Sequence, residues 1–293
     1  MSTPVLQAKD LKVTYDTRDT RDTRPVIDGL NLTIESGQIT TFVGANGSGK
    51  STLLKTLGRI LKPTAGQVFL EGTPISSLST KDVARRLAIL PQSPTAPAGI
   101  SVRDLVMRGR NPHQTWARPW SPDDAQIVEQ ALAETGLSDV ADRDVAALSG
   151  GQRQRVWIAL VIAQQAGTLL LDEPTTYLDL THQLSVLRLV RRINTETNTT
   201  VVMVLHDLSL AARYSDRMVV LHRGSVVADG TPTDVLTPAN LLTAFDLHAR
   251  VVPDPATGTP LVVPEADTPE TAVAPDVLTD VHKPLTNNTE GPA

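Results

Sequence analysis

Apolar and polar positions alternate at the start of the chain: Leu6 and Ala8, then Leu11, Val13 and Tyr15. Leu30, Leu32 and Ile34 repeat the pattern. A period of two predicts half-buried strands. Ile39–Val43 is a short β-rich run ending at Gly44, and a helix is expected from near Lys50 to before Pro63. Residues 68–70 and 87–90 read as further short strands. From Ser93 to Gln164 the spacing becomes helical: Ser101 with Asp104 resembles a capping box, and Ser121, Pro122, Asp123 and Asp124 make a strong helix start. Gly136 is the expected stop, with Ile127, Val128, Ala131 and Leu132 on one face. A strand at 169–171, a helix aligning Leu184, Leu187 and Val190, and a strand at 201–205 follow.

Unbroken apolar strands alternating with helices predict an α/β fold, a parallel sheet covered on both faces. The antiparallel-looking start and the helical middle are additions to that core. The charge-free run from Val156 to Leu171 is sixteen residues. That is short of the roughly 20 needed to span a bilayer, so it reads as a helix followed by a buried strand. The opening residues MSTPVLQAKDLKV have no basic end followed by an apolar stretch, so no export segment is expected.

The chain has 293 residues and no cysteine. This excludes a disulfide framework, a thiolate metal site and a cysteine nucleophile, and suits a reducing compartment. The net charge of −5 resides in the residues from 265 onward, which hold six acids and one lysine and leave 26 acids and 26 bases before them. A balanced body argues against nucleic-acid binding. The Pro-, Thr- and Glu-rich tail, 265–293, lacks the apolar content to offset ordering entropy and is expected to be disordered. An Asp-Thr-Arg triplet occurs three times from Asp16 to Arg24 and is expected to lengthen a hairpin loop.

Three segments carry chemistry. Residues 44–51, Gly-Ala-Asn-Gly-Ser-Gly-Lys-Ser, match G-x-x-x-x-G-K-[ST] between an entering strand and a leaving helix. Glycines let backbone N–H groups wrap phosphate oxygens, and the helix dipole points at the same anion. Lys50 is expected to reach the β- and γ-phosphates and Ser51 to offer its hydroxyl to Mg²⁺. The expected nucleotide-binding residues are Gly44, Asn46, Gly47, Ser48, Gly49, Lys50, Ser51 and Thr52. At 169–174, an apolar strand delivers Asp172 and Glu173 at its end. Asp172 is suited to holding Mg²⁺, and Glu173 to polarising the water that attacks the γ-phosphate. Residues 148–152, Leu-Ser-Gly-Gly-Gln, open a helix: Ser149 can cap it while the glycines leave N–H groups open to an anion.

Together these segments identify the chain as resembling an ATP-binding cassette (ABC) subunit, the nucleotide-hydrolysing part of a membrane transporter, over about residues 5–264. The resemblance implies a P-loop NTPase (RecA-like) core with an antiparallel β subdomain and a helical signature subdomain at about 93–164. It implies ATP and Mg²⁺ as cofactors. Tyr15 resembles the residue that stacks on adenine, and Gln92 the glutamine that contacts Mg²⁺ or water. Asp179 resembles the D-loop aspartate, and His206 the switch histidine at the γ-phosphate. Two copies are expected to pair head to tail, with Ser149, Gly151 and Gln152 of one covering ATP on the phosphate loop of the other. Further implied partners are transmembrane permease subunits, gripped by the helical segment, and indirectly a substrate-binding protein. The implied location is peripheral, on the cytoplasmic face of the cell membrane.

The cargo rests on finer likeness. The strings at 172–183, DEPTTYLDLTHQ, at 108–113, RGRNPH, and at 253–264, PDPATGTPLVVP, resemble the iron-siderophore import branch, the last one its ferric-enterobactin type. The alternatives are the same cassette serving haem, cobalamin or another metal complex, and a soluble cassette ATPase without a transport role. The latter usually carries two cassettes or a long inserted arm, and this chain has neither.

Overall fold

The structure, a computed structural model, describes residues 4–15, 25–114, 121–176 and 178–265. The Asp-Thr-Arg repeat and the tail beyond 265 lie outside the described residues, as does Tyr177.

The chain opens with β1 (Pro4–Val13) and β2 (Ile27–Glu35), which pair antiparallel. The apolar positions of β1 change phase between Ala8 and Leu11, and the structure gives the reason. Ala8 faces Leu32 and Leu11 faces Leu30, so β1 spends one residue more than its partner: a β-bulge. Asp10 sits there at φ 47°. Its backbone N–H donates to Asn31 Oδ1 and its carboxylate accepts from Asn31 Nδ2.

β3 (Ile39–Val43) leads through the glycine-rich loop into α1 (Lys50–Leu57). This helix stops at Gly58, earlier than Pro63 suggested. β4 (Ala65–Leu70), β5 (Thr73–Pro74), α2 (Thr80–Arg86) and β6 (Leu87–Leu90) follow. Three helices build the middle: α3 (Val102–Met107), α4 (Pro122–Glu134) and α5 (Gly150–Ala163). The strong helix start read at Ser121 carries a full capping box with Asp124, whereas the box read at Ser101 forms only on the hydroxyl side. At Ser101 the hydroxyl accepts from Asp104 N–H and donates to the Asp104 carboxylate. The remaining elements are β7 (Thr168–Asp172), α6 (Leu180–Thr197), β8 (Thr200–Val204), α7 (Leu208–Tyr214), β9 (Arg217–His222), β10 (Ser225–Gly230), α8 (Pro232–Val235), α9 (Pro238–Phe245), β11 (Ala249–Pro253) and β12 (Pro260–Pro264).

Among the described residues the strands form three sheets: β2-β1-β4-β5, antiparallel; β10-β9-β3-β8-β7-β6, parallel except for the β10 edge; and the hairpin β11-β12. The six-stranded sheet divides its side chains by the period of two. Leu169, Leu171, Val201 and Met203 enter one core, which α6 covers with Val186, Leu187 and Val190. Leu170, Val202 and Val204 enter the other, shared with α1 and the antiparallel sheet. A third core joins α3, α4 and α5. α5 is apolar on two sides because it serves two cores: Ala159 and Ala163 face the helical group, Ile158 and Val161 the sheet. That double burial explains the charge-free run. No helix among the described residues is long and apolar enough to cross a membrane.

Candidate nucleotide site

Parallel pairing fixes where the site lies. β3, β8, β7 and β6 are neighbours, with Phe42 opposite Val204, Val204 opposite Asp172 and Leu171 opposite Leu90. Their carboxyl ends form one edge, and the loops leaving it begin with Gly44, Leu205-His206, Glu173 and Pro91-Gln92. Ligands of open α/β sheets bind at such an edge.

The loop after β3 needs its glycines. Gly44 has φ 151°, and a Cβ there would stand 2.2 Å from the Leu221 carbonyl oxygen of β9. Gly47 and Gly49 have φ 78° and 103°, in the left-handed region. Gly49 caps α1 with no side-chain bond, so the first-turn N–H groups of the helix stay open to an anion. Asn46 and Gly47 are exposed at the turn, and Ser48 is buried with its Oγ lacking a hydrogen-bond partner. Lys50, 5% exposed, donates to the carbonyls of Gly44 (2.8 Å) and Ala45 (3.0 Å). Burial lowers its pKa, while the nearby charges of Glu173 and Asp172 act in the opposite sense. Beside the loop, the half-exposed Tyr15 places its hydroxyl 3.1 Å from Thr52 Oγ1.

Ser51 donates to Asp172 Oδ1 at 2.7 Å. Asp172 Oδ2 is buried and has no hydrogen-bond partner. Lys55 Nζ stands 3.6 Å away, within ion-pair reach only. An orphaned carboxylate oxygen beside a hydroxyl is a hard-oxygen donor set, and it fits Mg²⁺. No group of three or more His, Cys, Asp or Glu residues that could hold a metal occurs among the described residues. A cation here must complete its shell with phosphate and water, as Mg²⁺ does.

Glu173 adopts φ 53°, uncommon for a residue with a side chain. Three donors hold it: Gln92 Nε2 (2.7 Å) and Thr176 Oγ1 (2.9 Å) to Oε2, and His206 Nε2 at 2.7 Å from Oε1. Burial pushes its carboxyl up, but the bonds from His206, Thr176 and Gln92 outweigh it and hold the pKa below the ordinary range.

The signature segment lies apart. Ser149 caps α5 by accepting from Gln152 N–H (3.2 Å), and Gln152 Oε1 accepts from Ser149 N–H (3.1 Å). Asp179 caps α6 by accepting from His182 N–H. Among the described residues no hydrogen bond or ion pair joins 148–152 to the phosphate loop. Gln154 ties α5 to the loop after β7 instead, donating to the Pro174 carbonyl. The string at 108–113 divides. Arg110 is buried and donates to Asp124 and the Ala163 carbonyl, packing the fold. Arg108, Asn111 and Pro112 line a groove of about 430 Å³ against α2 and Gly58.

Sequence reasoning missed Thr176 and Lys55. For Lys55 the signal was helical spacing, since it follows Ser51 by four residues and shares its face of α1; Thr176 lies in a turn after Glu173, where no periodic signal exists.

The family model described as ABC transporter matches residues 27–176. The chain is 50% identical over 238 residues to the iron(3+)-hydroxamate import ATP-binding protein FhuC of Bacillus subtilis (strain 168), over 81% of this chain and 88% of that one. The fold is similar to an inward-facing metal-chelate type ABC transporter, with TM-score 0.76 and 29% identity over 90% of this chain and 99% of that one. It is also similar to a bacterial ABC transporter cassette solved as a dimer, with TM-score 0.70 and 25% identity over 78% of this chain and 98% of that one. With half the chain inside the family model, and a half-identical relative matched almost end to end, the chain belongs to the ABC transporter family, as one of its ATP-hydrolysing subunits.

Proposed function

We propose that this chain drives import of ferric siderophores from the cytoplasmic face of the cell membrane, as the ATPase subunit of an importer. The convergence of Gln92, Glu173 and His206 beside the Ser51–Asp172 pair carries the hydrolytic reading. The triphosphate lies over residues 44–50 at the open N-terminus of α1, and adenine rests on Tyr15. Lys50 exchanges its two loop carbonyls for phosphate oxygens. Ser51, Asp172 and Gln92 would hold Mg²⁺, which would supply positive charge against the phosphate oxygens. Glu173, ionised by its donors, orients the attacking water, and His206 contacts the γ-phosphate. For water to reach Oε2, the Gln92 bond there must open.

One chain offers half of a site in this reading, which the lack of any hydrogen bond or ion pair from the signature segment to its own phosphate loop among the described residues supports. A second copy, facing head to tail, supplies Ser149, Gly151 and Gln152 over the nucleotide, with Asp179 beside them. The similarity to a dimeric cassette supports this pairing. The groove lined by Gly58, Thr80, Arg108 and Pro112 suits a short helix of a permease subunit. A substrate-binding protein would act on the far side of that permease.

Cargo rests on the likeness of 172–183, 108–113 and 253–264 to the siderophore branch, and on the 50% identity to an iron(3+)-hydroxamate import protein. Deleting the gene should abolish uptake of a labelled ferric siderophore, with a permease co-purifying with the tagged chain. Normal uptake in a strain with no second importer for that chelate excludes the cargo. Dependence of cobalamin uptake on the gene would transfer the role to that complex.

A further inference from the structure

His182 belongs to one of the strings that mark the branch, and none of the chemistry above uses it. Its backbone N–H donates to Asp179 Oδ1 (2.9 Å), and its ring Nδ1 lies 2.7 Å from the same oxygen. The backbone bond from His182, then the ring bond, hold the Asp179 carboxyl below its ordinary range. The carboxylate therefore only accepts at neutral pH, and Nδ1 carries the proton between them.

The ring also faces the signature helix. A Cβ built on Gly151 would lie 3.0 Å from His182 Cδ2, 3.4 Å from Cγ and 3.5 Å from Nε2. One position earlier, a Cβ on Gly150 would meet nothing within 4 Å. Gly151 lies inside α5, where the backbone suits any residue, so conformational freedom does not demand glycine there. What crowds a side chain there is the imidazole.

We propose that His182 is a positioning residue for the signature segment. Its ring is a spacer, held by Asp179 at the start of α6 and pressed on Gly151 at the start of α5. It sets how the two helix N-termini stand relative to each other. The inference deepens the dimer reading and rests on it: those two N-termini present Ser149, Gly151 and Asp179 to the partner's nucleotide. His182 acts only through the segment it positions.

The test is a double-mutant cycle in the hydrolysis-deficient Glu173→Gln chain, read as the ATP concentration giving half-maximal dimer in gel filtration. His182→Ala is expected to raise it roughly tenfold, inside the hundredfold that a 1 Å misplacement can cost. Binding of a fluorescent ATP analogue to the monomer should stay unchanged, because the phosphate loop is untouched. Gly151→Ala should also weaken pairing. Because Gly151 also faces the partner's nucleotide, the coupling is read in the melting temperature of the nucleotide-free chain, where the double variant should be no less stable than His182→Ala, since the new methyl enters space the ring has left. Additive shifts in that melting temperature, or an unaltered dimer in His182→Ala, overturn the proposal. His182→Gln, which keeps a donor for Asp179, should recover part of the pairing and serves if the alanine variant does not fold. If the parent Glu173→Gln chain never pairs, the dimer reading has failed on its own account. The spacer is then judged by the same cycle in melting temperature, where additive shifts refute it.

Discussion

His206 Nε2 lies 2.7 Å from Glu173 Oε1, joining the end of β8 to the end of β7. Sequence order assigned each residue a place near the γ-phosphate without connecting them. The bond fixes which carboxylate oxygen is occupied and leaves Oε2 to Gln92 and Thr176. Replacing Glu173 by Gln keeps the shape but removes the charge proposed to orient water. Phosphate release should fall about 10²–10⁴-fold while ATP binding persists. Release at the parent rate would take Glu173 out of the reaction.

Ser51 is the only hydrogen-bond donor to Asp172 Oδ1 among the described residues, and Oδ2 has none. Ser51→Ala therefore strips a buried carboxylate of its last hydrogen bond. A stability loss of about 1–3 kcal/mol is expected in the metal-free protein. The Mg²⁺ concentration for half-maximal ATPase should rise as well. A denaturant melt and a Mg²⁺ titration read the two effects separately.

The glycines of the phosphate loop are not equivalent. A Cβ at Gly44 meets the Leu221 backbone oxygen at 2.2 Å, whereas one at Gly47 meets nothing within 4 Å. Gly47→Ala should cost about 1–2 kcal/mol from its left-handed backbone alone and still bind nucleotide. Gly44→Ala must push β3 and β9 apart, and nucleotide binding should be lost. Equal behaviour of the two in an equilibrium binding assay would contradict the packing.

Arg110 and Asp124 form a buried pair, 2.8 Å apart, inside the helical group. Burial raises the Asp124 carboxyl, but bonds from Arg110 and Ser121 bring its pKa below the ordinary 3.8. A depressed folded-state pKa contributes stability above the unfolded value, lost as pH falls through the folded one. The parent chain should therefore lose this contribution below about pH 4, where unfolded carboxyls titrate. Asp124→Asn should remove that segment of the acid profile. It should also cost about 3–5 kcal/mol at pH 7 by leaving Arg110 uncompensated. Chemical denaturation at several pH values checks both.

What was legible in the sequence was local. β3 ends at Gly44 because a β-rich run meets a glycine, and α4 starts at Ser121 because its cap, proline and acids are contiguous. α2 and the C-terminal strands went unassigned, being short and set by packing against neighbours. The Leu6–Ala8 to Leu11 phase change was visible but needed the facing strand to become a bulge. The site was legible as a set of residues, largely through family resemblance. Its connections were not: the contacts among Gln92, Glu173 and His206 span up to 81 residues and follow from strand order. Likewise, no spacing rule places the His182 ring on Gly151.

The candidate site residues leave from the ends of four adjacent strands, in the order β3, β8, β7, β6. Neighbouring strands stand about 4.8 Å apart whatever side chains they carry, because peptide bonds to peptide sets that pitch. The machinery is thus mounted on a ruler graduated by the backbone itself. Exchanging a side chain at one mark alters the tool there and leaves the intervals to the rest intact.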